Sequence, residues 1–256
     1  DLLDITIWLF THINAEGLDL SGCYVGENTI AKIADLGRLR VLDLSWCELR
    51  PGSLVPIGNS PALQEKLREL YANDNEFDLN DTTALALLTA LKVLKLEFCK
   101  LQPGALVPIG NSETLQETLR ELHADGNEFD LNDTTALALL TSLEVLDLSW
   151  CELRSGLLVP IGSSETLQEA LRELHAVGNN FDLNDTTALA LLAALEVLKL
   201  EFCKLQPGAL VPIGSSETLQ ETLRELHADG VEYGKSVPAS VALRAPRIIH
   251  KKKHSN

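Results

Sequence analysis

The sequence predicts an α/β solenoid, an array of stacked units rather than one globular core. The first observation is a period of 52 residues, since the hexapeptide at 39–44 returns at 91–96, 143–148 and 195–200. Self-similarity at fixed spacing is the signature of a repeat architecture. The second observation is composition: the chain is 45% apolar but only 5% aromatic, which suits many small repeated cores.

Each period divides into two units that share one pattern. Residues 67–75 match residues 39–47 in having leucine at the first and fourth positions, Leu or Ala at the sixth, and Asn or Cys at the ninth. The apolar fourth and sixth positions alternate as a strand with one inward face requires. The exchange of Leu and Ala at the sixth position favours interdigitation of neighbouring layers. Nine units, alternately 24 and 28 residues long, begin at Ala15, Leu39, Leu67, Leu91, Leu119, Leu143, Leu171, Leu195 and Leu223.

This pattern resembles the leucine-rich repeat, and the resemblance covers residues 15–233. It implies a horseshoe-shaped solenoid with a parallel β-sheet on its concave face and short helices or 3₁₀ turns on its convex face. The alternating unit lengths and the Cys or Asn of the ninth position are similar to ribonuclease-inhibitor-like leucine-rich repeats, although the long units here contain an internal proline. Residues 1–14 are predicted to form an N-terminal cap, and residues 234–256 a C-terminal cap with a basic, disordered tail.

The ninth position predicts a structural ladder. In leucine-rich repeats this residue meets unpaired backbone groups in the turn after the strand. Metal binding and disulfides are the alternatives, but strands lie about 4.8 Å apart, so cysteines two units apart are about 10 Å apart, too far for either. Buried, unpaired thiols indicate a reducing, cytoplasmic location. The ladder residues are Cys23, Cys47, Asn75, Cys99, Asn127, Cys151, Asn179 and Cys203.

The segments between strands predict two kinds of convex structure. In the short units, Asn80, Asp81 and Thr82 are expected to cap a short helix that begins near Ala84. These residues also match the N-glycosylation acceptor pattern, and with Asp78 they could suggest calcium, but caps are favoured because the free cysteines argue against secretion. In the long units, Pro and Gly between 103 and 110 favour a broken turn or a 3₁₀ segment.

Helix-start residues follow at 112–117 in the long units. A continuous helix over 62–70, which the spacing of its leucines would allow, is rejected because Leu67 and Leu70 align with strand positions.

The third, fifth, seventh and eighth positions are expected to face the concave side. The eighth column carries Trp46, Phe98, Trp150 and Phe202, separated mostly by glycine. Such a row is typical of protein recognition, and the alternative is that each ring folds over a neighbouring glycine and shields the ladder. The repeated histidines His123, His175 and His227 stand too far apart to share a metal. The predicted partner-binding residues are Trp46, Tyr71, Phe98, Trp150, Phe202, Asp43, Asp74, Glu97, Asp125, Asp147, Glu201 and Asp229.

A formal charge of −16 disfavours nucleic acid and favours a basic partner. No apolar stretch approaches the length of a membrane span. No nucleotide-binding loop, nucleophile elbow or metal-ligand spacing occurs, so no cofactor is expected. The sequence therefore predicts a non-enzymatic protein–protein interaction module, with the oligomeric state left open.

Two other classes remain open at this stage. One is an engineered or consensus-like scaffold without a natural ligand, which the near identity of residues 101–110 and 205–214 allows. The other is the recruitment segment of a larger enzyme or effector. The lack of any methionine and the start at Asp1 suggest an excised, processed or engineered segment.

Overall fold

The computed structural model describes His12, residues 15–228 and the backbone of residues 247–248. The predicted N-terminal cap, except His12, lies outside these residues, as do the segments 229–246 and 249–256. The described strands are β1 (Gly17–Asp19), β2 (Val41–Asp43), β3 (Glu69–Tyr71), β4 (Val93–Lys95), β5 (Glu121–His123), β6 (Val145–Asp147), β7 (Glu173–His175), β8 (Asn180–Phe181), β9 (Val197–Lys199), β10 (Lys204–Leu205), β11 (Glu225–His227) and β12 (Arg247–Ile248).

The helices between the strands are short. They are α1 (Glu27–Ala34), α2 (Val55–Gly58), α3 (Pro61–Gln64), α4 (Leu79–Leu85), α5 (Val107–Gly110), α6 (Glu113–Thr118), α7 (Leu131–Leu137), α8 (Val159–Ser163), α9 (Glu165–Ala170), α10 (Leu183–Leu189), α11 (Val211–Ser215) and α12 (Glu217–Thr222).

One parallel sheet runs through the whole array. Each of the nine units contributes one strand, and successive strands pair in the same register, as Leu42 with Leu70 and Leu70 with Leu94 show. This order confirms the predicted solenoid. Within the segment 234–256, predicted as a C-terminal cap with a disordered tail, Arg247 and Ile248 pair with β11 as a tenth strand, because an outermost strand leaves backbone groups unpaired. A second, two-stranded sheet joins β8 and β10.

The core is a single column of layers. The fourth-position leucines and the alternating Leu and Ala of the sixth position are fully buried from Leu42 to Leu200. They pack in one cluster with Ile57, Leu63 and Leu85 of the helices. The sheet therefore has one face covered by helices and one open face, and the open face carries the third, fifth and seventh columns.

The convex helices differ in detail from the sequence prediction. The N-cap of α4 is Asp78 rather than Asn80, and Asp78 and Asp81 form a capping box. In the long units, α5 is one α-helical turn rather than a 3₁₀ segment, because Pro108 lies in its first turn, where the missing N–H costs nothing. The predicted helix starts are confirmed by α6, which Ser112 precedes, and the short helix α3 ends before β3.

In three of the short units, a buried aspartate joins the unit to the preceding long unit. Asp81 is fully buried, and its carboxylate accepts from the backbone N–H groups of Gly52 and Leu54 at 2.8 Å and of Asp78 at 3.0 Å. Asp133 and Asp185 make the same bonds one and two periods later. Burial raises the pKa of Asp81, and these N–H donors oppose the rise. These aspartates therefore hold neighbouring units together.

The Cys and Asn residues of the ninth position line the turn after each strand. Asn127 accepts at Oδ1 from the N–H groups of Cys99 (3.1 Å) and Leu101 (2.9 Å). Its Nδ2 donates to the carbonyl groups of Leu96 (2.8 Å) and Ala124 (2.9 Å). The buried thiol of Cys99 lies 3.2 Å from the carbonyl oxygen of Ala72 in the unit before. From Cys47 to Cys203, each ladder residue thus bonds to the preceding unit and fixes the turn that carries the eighth column.

Candidate functional site: an acidic open face and an aromatic row

The open face carries far more carboxylates than cations. Within the described residues, the third, fifth and seventh columns contain ten carboxylates and two lysines, Lys95 and Lys199. The carboxylates are Asp19, Asp43, Glu69, Glu97, Glu121, Asp147, Asp125, Glu173, Glu201 and Glu225. The residue before the third column is basic in six units, and Arg40 and Arg172 there pair with acids of the same row at 2.8 and 3.1 Å. A row of mixed charge, in which arginines pair with glutamates of the same row, therefore lies beside the acidic face.

The glutamates of the third column were missed by the sequence prediction. Each lies two residues before a polar residue of the fifth column on the same face. Glu225 lies 3.2 Å from Nε2 of His227, Glu173 lies 3.7 Å from Nε2 of His175, and the Tyr71 hydroxyl donates to Glu69 at 2.7 Å. The period-two alternation that places the fifth column on the open face places the third column there as well. This signal could have predicted the third-column glutamates.

The centre of the face is a hydrogen-bonded pair, Asp147 with His175. Nδ1 of His175 lies 3.0 Å from Oδ2 of Asp147, and the Ser149 N–H donates to Oδ1 at 2.9 Å. Burial favours a higher pKa for Asp147, but the hydrogen bonds from His175 and Ser149 outweigh it and keep that pKa below its ordinary value. Asp147 is therefore a charged residue at neutral pH.

Two predicted acids carry less charge than the sequence suggested. Burial, with Asp125 nearby, raises the pKa of Glu97 to about 7, and its Oε2 is buried without a hydrogen-bond partner among the described residues. Burial and the charge of Asp147 raise the pKa of Asp125 to about 6. Burial and Lys95 lower the pKa of His123 to about 4, so this imidazole is neutral at pH 7. The acidic character of the face therefore grows between pH 5 and 8.

Tyr71 differs from the other predicted anchors. It is half-buried in β3, and its ring lies 5.6 Å from Nζ of Lys95, within the range of a cation–π contact. The hydrogen bond to Glu69, together with burial, raises the pKa of its hydroxyl to about 12. Tyr71 is thus already engaged on both its face and its hydroxyl.

The aromatic row lies on strained backbone. Trp46, Phe98, Trp150 and Phe202 all have φ between 53° and 60°, the left-handed region that glycine prefers. A bulky residue there costs about 1 kcal/mol or more. Each of the four residues is nevertheless more than half exposed, from 52% for Phe98 and Trp150 to 64% for Trp46. The turn thus presents large apolar surfaces to solvent at every second unit.

Glycines in the same column make room for two of these rings. A Cβ at Gly126 would lie 2.3 Å from the Phe98 ring, and one at Gly178 would lie 2.3 Å from the Trp150 ring. Trp150 and Phe202 also stack, with centroids 6.2 Å apart. Phe98 and Trp150 therefore cover a glycine, as the shielding alternative expected, and still expose part of their surface to solvent. Protein recognition by the row stays a prediction.

The remaining predicted residues occupy different places. Asp43 lies on β2 and accepts from the N–H of Ser45 at 2.8 Å, Asp74 lies in the eighth column between Trp46 and Phe98, and Glu201 lies 3.5 Å from Nδ1 of His227. Asp229 lies outside the described residues.

Cys23 differs from the four other thiols. Buried Cys47 bonds to the carbonyl of Leu20 in the preceding unit at 3.1 Å, and burial raises its pKa to about 11. Cys23 is exposed, contrary to the prediction of five buried thiols, because it stands in the first unit and no described unit precedes it. No group of three potential metal ligands occurs among the described residues, and none of the helices in that part of the chain has the length and apolar character to cross a bilayer.

Comparison with known proteins shows which proteins this chain is similar to. Residues 142–164 match the family model of the Leucine Rich Repeat. Ribonuclease inhibitor from Sus scrofa is 30% identical over 213 residues, which are 75% of this chain and 45% of that protein. The chain therefore spans less than half the length of this relative.

Solved structures with the same fold have lower identity. A TDR receptor has a TM-score of 0.62 at 21% identity and covers 89% of this chain and 37% of its own. An internalin from Listeria monocytogenes has a TM-score of 0.54 at 18% identity, with 91% and 83% covered. The chain belongs to the leucine-rich-repeat proteins. Its Cys and Asn ladder and its relative place it with the ribonuclease-inhibitor-like type.

Proposed function

We propose that this chain is a non-enzymatic protein-binding module whose open face receives a basic protein. The observation that carries this proposal is the excess of carboxylates over lysines across the described part of the face. Opposite potentials accelerate encounter and fix orientation more than they add affinity. The exposed rings beside the acidic columns would supply the apolar contacts that charges alone do not provide.

The comparisons support a binding role without naming a partner. The pig relative is by its name an inhibitor of a ribonuclease, and a structural neighbour is a plant peptide hormone receptor. A basic ribonuclease is accordingly the first partner to test. Across the described residues the same groups recur at each period, whereas catalysis requires a single convergence of unlike groups.

The test is calorimetric titration of the chain with a basic ribonuclease and with an acidic protein of similar size. The triple variant Asp43→Asn, Asp147→Asn and Glu201→Gln should weaken ribonuclease binding by about tenfold or more at low salt. The matched control removes three exposed charges from α6, α9 and α12, by Glu113→Gln, Glu165→Gln and Glu217→Gln. Equal weakening by both triples, or no binding of the ribonuclease, overturns the proposal.

We further propose a reducing, cytoplasmic location. The support is the set of buried, unpaired ladder thiols, Cys47, Cys99, Cys151 and Cys203, each bonded to a carbonyl group. Mass spectrometry of the chain from its native source should find all five cysteines reduced and Asn80 without glycan. A disulfide or a glycan there would place the chain in the secretory route instead.

A further inference from the structure

Two grooves open along the aromatic row, at equivalent positions 104 residues apart. The first, the amino-terminal groove, has a volume of 580 Å³ and lies between Trp46 and Phe98. The second, the carboxy-terminal groove, has a volume of 310 Å³ and is lined by Phe202 but not by Trp150. Both volumes fall within the size range of small ligand sites, so what distinguishes the first groove is its lining by two aromatic side chains.

One position accounts for the difference in shape. In the carboxy-terminal groove that position is Gly178, and the ring of Trp150 covers it. In the amino-terminal groove the equivalent residue is Asp74, whose φ of 55° is close to the 71° of Gly178. The Cβ of Asp74 occupies the space that a covering ring would need. Trp46 therefore cannot lie over its neighbour as Trp150 does, and the groove stays open.

The charge of the two grooves is opposite. The amino-terminal groove has three carboxylates, Glu48, Asp74 and Glu76, against Arg50 and Lys100. The carboxy-terminal groove has Glu152 against Arg154 and Lys204, since Gly178 and Asn180 replace the other two acids. The net formal charge of the lining is thus negative in the first groove and positive in the second.

Glu48 and Asp74 are the carboxylates of this groove without a partner among the described residues, and Asp74 is the one that stands in the aromatic column. Glu76 is ion-paired with Lys100. No described residue donates a hydrogen bond or forms an ion pair with the carboxylate of Asp74, which lies between the two rings. An unpaired carboxylate that lines one groove together with two aromatic side chains favours a cation there, since the faces of Trp and Phe attract positive charge within about 6 Å.

We propose that the amino-terminal groove receives a lysine or arginine side chain of the protein partner, held between Trp46 and Phe98 with Asp74 as its counter-ion. The proposal rests on the proposed function, because a basic partner must supply the side chain. In this proposal the groove selects a basic side chain at one position of the partner, whereas the open face attracts the partner as a whole.

The test is an NMR titration with acetyl-Gly-Arg-Gly-amide, in which the indole N–H signals of Trp46 and Trp150 are followed together. The peptide with citrulline in place of arginine has nearly the same shape without the charge. The arginine peptide should move the Trp46 signal saturably and leave Trp150 unchanged, and citrulline should do neither. Asp74→Asn should weaken binding at least fivefold, whereas Glu152→Gln in the other groove should not change it.

Equal shifts of both tryptophans, or equal binding of the citrulline peptide, overturn the proposal. If the circular dichroism spectrum of Asp74→Asn differs from that of the parent, the test is instead the comparison of the two peptides on the unaltered chain. If the ribonuclease still binds the open face while the peptide does not bind the groove, this inference fails alone. If the ribonuclease does not bind, the proposed function fails as well.

Discussion

The amino-terminal and carboxy-terminal grooves have the same backbone but differ in the placement of their rings. Both follow a strand of the same sheet, and both have an aromatic residue with a positive φ followed by a ladder cysteine. In one, Trp150 lies over Gly178 and stacks on Phe202. In the other, Asp74 keeps the space between Trp46 and Phe98 open. In a repeat array, one residue of the neighbouring unit thus decides whether a ring lies over the next turn or borders an open groove.

The largest expected effect tests whether the scaffold beneath the two grooves is truly the same. Asn75 and Asn179 line one groove each and make the same ladder bonds, so Asn75→Ala and Asn179→Ala should each cost about 3–5 kcal/mol. Urea unfolding measures the loss. The exposed Asn184→Ala on α10 is the control and should cost about 0.5 kcal/mol or less. Unequal losses of stability at the two ladder positions would show that the scaffolds beneath the two grooves differ.

A smaller effect tests the packing of Trp150 directly. Gly178→Asp should destabilise the chain by about 2 kcal/mol, because the new Cβ displaces the ring and separates it from Phe202. Gly22→Asp is the matched control, since Gly22 has almost the same φ, +72° against +71°, and nothing within 4 Å of an added Cβ. Both variants carry the same backbone strain, so equal losses in thermal unfolding would contradict the ring displacement.

The smallest effect concerns the acids that precede Phe98 and Phe202. The pKa of Glu97 is raised from 4.5 to about 7, so its protonated form contributes stability that is present below pH 4.5 and is lost as pH rises through 7. Glu97→Gln should therefore be about 1 kcal/mol more stable than the parent at pH 8, after allowance for solvent screening, and about equal at pH 4.5.

Unfolding curves at several pH values check this expectation. The equivalent change Glu201→Gln removes the contact with His227 instead, so it should bring no gain at pH 8. A flat difference between Glu97→Gln and the parent across this pH range would show that Glu97 is not buried as the structure has it.

The sequence was sufficient to predict the array but not the contacts that join its units. Leucine spacing and the 52-residue period predicted the strands, their order and the ladder because each unit repeats the same local pattern. The inter-unit role of Asp81 was missed, since an aspartate in the first turn of a helix is explained locally as a cap. Its bonds to Gly52 and Leu54 exist only when two units stack.

The candidate site was only partly predictable for the same reason. The eighth column identified Trp46, Phe98, Trp150 and Phe202, but their packing depends on the residue one unit further along the array. The shifts at Glu97 and Asp125 likewise arise from burial across several strands, which no single-unit pattern contains. A signal was nevertheless present in the column, since Asp74 stands where glycine recurs at 126 and 178.

The most direct test of the central claim exchanges the two positions between the grooves. The variant combines Asp74→Gly and Glu76→Asn with Gly178→Asp and Asn180→Glu, and acetyl-Gly-Arg-Gly-amide is titrated while both indole N–H signals are followed. Because the surrounding backbone is equivalent, the response to the peptide should move from Trp46 to Trp150. A response that remains at Trp46 would contradict the claim that these residues decide which groove binds.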